Sequence, residues 1–186
     1  MEIPIFIDNN CWDLFFELKL DLNLELPRNE FHIAITREAE FEIKAIPENK
    51  SELKNYITNT LSNHRITTDS LFGFYTEGVP QNEQRYSGFN QGRFSSSEEN
   101  AFCVQQNHKI GKLRNSKLYA NEADIAIAAR STRYIILTLD KKAGPIRDAA
   151  KQGGKVVFLT DFREGTMSLR EFILTRIAPS ESRELG

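Results

Sequence analysis

Three short segments of this chain are apolar almost from end to end: Ile3 to Ile7, Tyr134 to Leu139 and Val156 to Leu159. A strand that alternates apolar and polar residues can leave one face in water, but a strand without alternation must be covered on both. Between these segments, apolar residues recur at helical spacing, as at Trp12, Phe15, Phe16 and Leu20, and at Leu53, Tyr56, Ile57 and Leu61. Strands buried on both faces and alternating with helices leave few architectures open. The expected fold is α/β, a three-layer sandwich with a central parallel sheet.

The chain reads in order as follows. A strand at Ile3 to Ile7 tolerates Pro4 at its start, and a helix runs from Cys11 to Leu20. Residues 21–30 form a polar connection containing Pro27, and Phe31 to Ile35 is a short strand or a helix approach. Thr36 can cap a helix from Arg37 to Ile46. Pro47 closes that helix or opens the next, which extends to about His64. Residues 73–97 hold four glycines and few aliphatics and read as a long inserted loop. Ser96 with Glu99 predicts a capping box, and Asn121 is a candidate N-cap for a small-residue helix from Asp124 to Arg130. A strand at 134–138, a helix opened by Pro145 and closed by Gly153-Gly154, and a strand at Val156 to Leu159 follow. A last helix runs through Leu169, Phe172 and Ile173. The reading is one domain over 1–178, with its insertion at about 73–97 and a polar tail at 179–186.

The 186 residues are enough to bury a core without cross-links. Two cysteines, Cys11 and Cys103, form no disulfide framework and predict a reducing, cytoplasmic setting. No apolar run nears the roughly 18 residues of a membrane span, and the acidic start lacks the basic region of a signal peptide. No membrane partner is expected. A net charge of −2 argues against indiscriminate nucleic-acid binding but leaves room for a local basic surface.

Two predicted strands end in a carboxylate: Asp8 follows Ile5-Phe6-Ile7, and Asp140 follows Ile135-Ile136-Leu137-Thr138-Leu139. In open parallel sheets, chemistry gathers beyond the carboxyl ends of the strands. Asp124, in the first turn of the helix before the second of these strands, adds a third acid. Converging carboxylates are the hard oxygen ligands that Mg²⁺ or Mn²⁺ takes.

The ordered set Ile5-Phe6-Ile7-Asp8-Asn9-Asn10, Ile35-Thr36-Arg37-Glu38-Ala39-Glu40-Phe41-Glu42-Ile43, Ala123-Asp124-Ile125-Ala126-Ile127-Ala128-Ala129 and Ile136-Leu137-Thr138-Leu139-Asp140 resembles the PIN domain. The likeness covers roughly residues 3–46 and 117–160. It implies a metal-dependent ribonuclease, cutting phosphodiesters with metal-activated water and leaving a 5′-phosphate and a 3′-hydroxyl. Asp8, Asp124 and Asp140 would be the metal-binding acids and Glu42 the helical catalytic glutamate, with Glu38, one turn earlier on the same face, as its competitor. Thr138 resembles the hydroxyl residue that lines such sites. The resemblance further implies an RNA substrate and, by analogy with toxin nucleases, an antitoxin or other regulatory protein, or a homodimer. The long insertion has no counterpart in compact toxin nucleases, and Asp8-Asn9-Asn10 with Gly153-Gly154-Lys155-Val156 is also similar to NYN nucleases. The other reading is a PIN-like interaction or RNA-binding module without catalysis.

A stretch from Ala101 to Ala120 has no acid but carries Lys109, Lys112, Arg114 and Lys117, and is the expected path for a phosphate backbone. Arg85, Tyr86, Phe89, Arg93 and Phe94 interleave cations and rings that can stack on bases. His32, His64 and His108 have no metal or triad spacing, and His32 is expected to be a satisfied, partly buried residue. Asn10 stands where haloacid-dehalogenase-like phosphatases need a second aspartate, and Gly153-Gly154-Lys155 lacks the P-loop spacing.

Overall fold

The computed structural model describes residues 2–74, 77, 79–162 and 165–178. The predicted tail at 179–186 lies outside the described residues. The chain runs β1 (Ile3–Ile7), α1 (Cys11–Glu17), α2 (Leu22–Glu25), β2 (Phe31–Thr36), α3 (Arg37–Lys44), α4 (Ser51–Asn63), β3 (Thr67–Asp69) and α5 (Ser97–Gln106). It continues through α6 (Glu122–Arg130), β4 (Ile135–Thr138), α7 (Pro145–Lys151), β5 (Val156–Phe158) and α8 (Leu169–Ile177). The strands form one sheet in the order β3-β2-β1-β4-β5, every pair parallel.

Alternation along a strand sends successive side chains to opposite faces, and here both faces are covered. Ile5, Ile7, Ile33, Ile35 and Leu137 pack with Trp12, Phe15, Ile57, Phe172 and Ile173 on one side. Phe6, Ala34 and Ile136 pack with Phe102, Ala128, Ala129 and Ile146 on the other. Small residues let α6 lie close to the sheet. The result is the expected three-layer α/β sandwich. Among the described residues no helix is long and apolar enough to cross a membrane.

Local signals act as expected at several ends. The Thr36 hydroxyl accepts from the Ala39 N–H, Ser96 and Glu99 form a reciprocal capping box, and Gly153 takes φ 86° just beyond α7. Asn121 precedes α6 but does not cap it with its side chain, which donates instead to the Lys109 carbonyl. The connection at 21–30 contains α2, opened by the Asp21 carboxylate accepting from the Asn23 N–H. His32 is exposed rather than partly buried, its Nε2 lying 3.2 Å from the Thr67 hydroxyl.

The insertion is tied to the body. After β3, Leu71 and Phe72 bridge to Arg93 and Ser87, extending the sheet edge. The Arg93 guanidinium donates to Asp69 and Glu99, and that of Arg130, only 2% exposed, donates to Asp69. Arg93 is therefore committed to Asp69 and Glu99. Arg85, too, pairs with Glu122. The backbone crossing is close: a Cβ at Gly92 would lie 2.7 Å from the Phe72 nitrogen. Gly92→Ala is expected to destabilise the protein by about 1–3 kcal/mol, seen as a lower urea midpoint at unchanged slope. An unchanged midpoint would mean that this crossing adds nothing to stability.

Candidate metal centre

The order of the strands reverses direction between β1 and β4, which makes a crevice beyond their carboxyl ends, the usual ligand position in such sheets. Asp8 leaves β1 at that point, with its N–H bonded to the Leu137 carbonyl at 2.9 Å. Its side chain is buried, and its Oδ2 accepts from the Thr138 hydroxyl at 2.6 Å and the Asn10 amide at 2.6 Å. The Thr138 oxygen in turn accepts from the Asp140 N–H at 2.9 Å, and the Asn10 carbonyl accepts from the Leu139 N–H at 2.8 Å. These bonds clamp the ends of β1 and β4 together and fix Asp8 against the turn that carries Asp140.

Two helices bring the other acids. Thr36 starts α3 directly after β2, and one turn in from its first residues Glu42 accepts from the Asn9 amide at 2.8 Å. Asn9 also donates to the Ala39 carbonyl at 3.0 Å, which fixes its orientation and leaves its Oδ1 buried without a partner. Asp124 lies in the first turn of α6, which packs against α3.

The carboxylates sense one another. Burial, together with Asp124 and Glu42, pushes Asp8 up to about 6, although Thr138 and Asn10 pull it down. Burial raises Asp124, Asp140 adds to this, and Arg114 opposes it. Burial raises Glu42 as well, with the Asn9 bond opposing and Asp124 adding. Glu38 lies in a different setting. Burial raises it, Arg130 opposes and Glu122 adds, and it in turn adds to the rise of Glu42. Glu42, rather than Glu38, is the α3 acid coupled to Asp8.

Among the described residues no three His, Cys, Asp or Glu side chains converge on one ion position. The donor set fits Mg²⁺ or Mn²⁺ by type, being hard oxygen throughout, and no described residue donates to the second oxygen of Asp8. A groove of about 430 Å³ lined by Asn9, Asn10, Trp12, Glu42 and Ile43 opens beside the acids. A cavity of about 510 Å³ around Pro4, Ile135 and Lys155 lies at the opposite edge, under the strand N-termini, away from this chemistry.

Of the basic stretch, Lys109 pairs with Asp148 and Lys117 with Glu83. Lys112 and Arg114 are exposed, and Arg114 lies within electrostatic reach of Asp124 and Glu42. Asn9 and Asn10 are functional neighbours of the acids that motif and spacing do not single out. Their signal was their place directly after a strand-end aspartate, where short amides can bond both to neighbouring backbone and to carboxylates. No family model, curated protein or solved structure matches this chain.

Proposed function

We propose that the chain is a PIN-like, divalent-metal-dependent endoribonuclease. The observation that carries this reading is electrostatic: Asp8, beyond the carboxyl end of a central parallel strand, is coupled to Glu42 and Asp124, and Asp124 to Asp140, acids from four separate parts of the chain. Asp8, Asp124 and Asp140 would hold Mg²⁺ or Mn²⁺, which when bound supplies Lewis acidity to a phosphoryl oxygen and acidifies water. Thr138 and Asn10 hold Asp8 in place for that task. Glu42, oriented by Asn9 and raised by its surroundings, is suited to accept a proton from the attacking water. Arg114 offers a cation beside the acids to a substrate phosphate.

The test is cleavage of end-labelled single-stranded RNA with Mn²⁺ or Mg²⁺, with and without EDTA. Cutting that needs the ion supports the reading. Its absence under every ion, with no ion binding by calorimetry, overturns it in favour of a non-catalytic module.

The substrate path runs over Lys112 and Arg114, because Lys109 and Lys117 have acidic partners. Replacing Lys112 and Arg114 by alanine is expected to weaken RNA binding and to flatten the plot of log affinity against log salt by about 0.7 per lost contact. An unchanged slope would remove both residues from the path. A protein partner, whether an antitoxin-like regulator or a second copy, has a candidate surface at the exposed rings of Phe74, Phe89 and Phe94, which gather round Phe72.

A further inference from the structure

Next to the acid cluster, between α3, α5, α6 and the insertion, lies a cavity of about 330 Å³, a size suited to a small planar ligand. Glu38 and Glu122 are in its walls, one turn before Glu42 on α3 and two residues before Asp124 on α6. The cavity thus borders the candidate metal centre along both helices that supply its acids.

Three features restrict the ligand. The first is an acceptor: Glu38 Oε2 is shielded from solvent and has no hydrogen bond. Such an oxygen has lost water and gained nothing in return. The arginines nearby do not meet the need. Arg130 is spent on Asp69 and the Ala126 carbonyl, and Arg85 on Glu122 and the Lys117 carbonyl. The second is a pair of rings, Tyr86 and Tyr119, both about half exposed. The third is the apolar surface of Ile125, Ala126 and Ala129. Aromatic rings and an apolar wall favour a flat base, and a carboxylate that keeps one oxygen without a partner while Thr36 and its own backbone serve the group favours a base whose edge carries adjacent N–H donors.

Among the four RNA bases, guanine has that edge: its N1–H and exocyclic amino group both point toward a carboxylate. Adenine and cytosine set a ring lone pair beside their amino group, and uracil flanks its single N–H with two carbonyls. Each of these would face Glu38 with a repelling acceptor.

We propose that this cavity receives a guanine of the RNA strand next to the cut, with Glu38 as the residue that recognises it. This rests on the ribonuclease reading above, since it makes Glu38 a specificity residue for the same site.

The experiment titrates the full chain in EDTA with 5′-GMP, 5′-AMP, 5′-CMP and 5′-UMP by calorimetry, and maps cut positions on an RNA of mixed sequence. GMP is expected to bind about tenfold or more tightly than the others, and cuts should cluster beside guanines. Glu38→Gln places an amide donor against the guanine donors and should erase both preferences. Tyr119→Ala, a change at an exposed side chain, should weaken nucleotide binding by about tenfold and gives a second reading should Glu38→Gln fail to fold. Cleavage without any base preference, unaltered by Glu38→Gln, overturns the guanine site and leaves the nuclease standing. GMP-selective binding without cleavage under any ion keeps the guanine site and overturns the nuclease. Loss of all cleavage in Glu38→Gln with nucleotide binding unchanged would make Glu38 a catalytic acid and overturn its role as a reader of bases.

Discussion

Asp124→Asn is expected to lower metal-dependent RNA cleavage by about 10²-fold or more, while the protein stays folded. The side chain is raised by burial and by Asp140, so its charge is a cost to the fold and not a support. Removing that charge relieves repulsion in the cluster, and asparagine keeps the size. The informative control is Glu40→Gln on α3. Glu40 is held by Arg37 and Lys44 on the far side from the acids, so that variant is expected to keep full activity. Full-rate cleavage by Asp124→Asn would remove Asp124 from the site. Unfolding of the variant would show that its carboxylate supports structure.

The second large effect is a dependence of stability on pH, and it needs no activity. Asp8 goes from an ordinary 3.8 to about 6 in the folded chain. The folded state therefore binds that proton more tightly than the unfolded one. The ionised form weakens the fold above about pH 6, and the penalty is withdrawn as pH falls from there toward 3.8. Linkage gives about 1.4 kcal/mol between pH 7 and pH 5, and about 3 kcal/mol in full. Asp124 and Glu42 are raised too and act in the same direction. Asp69 and Glu99 are held low, chiefly by Arg93 against the effect of burial, and their support is lost only at more acid pH. The measurement is urea unfolding in EDTA at pH 7 and pH 5, for the natural chain and for Asp8→Asn. An asparagine can still accept from Thr138 and Asn10, so the variant should be the more stable at pH 7 and lose its lead at pH 5. Equal curves at both pH values would show that burial and the neighbouring acids do not raise Asp8. Mn²⁺ should raise the stability of the natural chain at pH 7 and have little effect on Asp8→Asn.

The sheet was legible where burial leaves a mark. Strands β1, β4 and β5 are covered on both faces, and their composition says so. The edge strand β3 was not, because Thr67, Thr68 and Asp69 carry no apolar pattern and are held by backbone pairing with Ala34, Ile35 and Thr36. Caps were legible because Thr36, and Ser96 with Glu99, act within three residues of themselves. Pairings at long range were hidden. Arg93 and Arg130 look like surface cations until Asp69, 24 and 61 residues away from them, meets both. Lys109 reads as a phosphate contact, and its pairing with Asp148 leaves no mark in the sequence. The candidate acids were visible from strand ends and resemblance. Resemblance put Glu42 ahead of Glu38 on their shared helix face, but the coupling of Glu42 to Asp8 and Asp124 across the crevice left no local mark.

The strand order has a further consequence. The first 74 residues contain β3, β2 and β1 with Asp8 and Glu42, whereas residues from 97 onward contain β4 and β5 with Asp124 and Asp140. The join between β1 and β4 is thus a seam between two contiguous halves of the chain, each holding half of the acids. Neither half by itself holds all four of the candidate acids. On the proposed reading such a protein is its own two-key lock: separating the halves by a cut in the connecting insertion is expected to leave two inert pieces, and whatever activity returned on mixing them would count the seams that had closed.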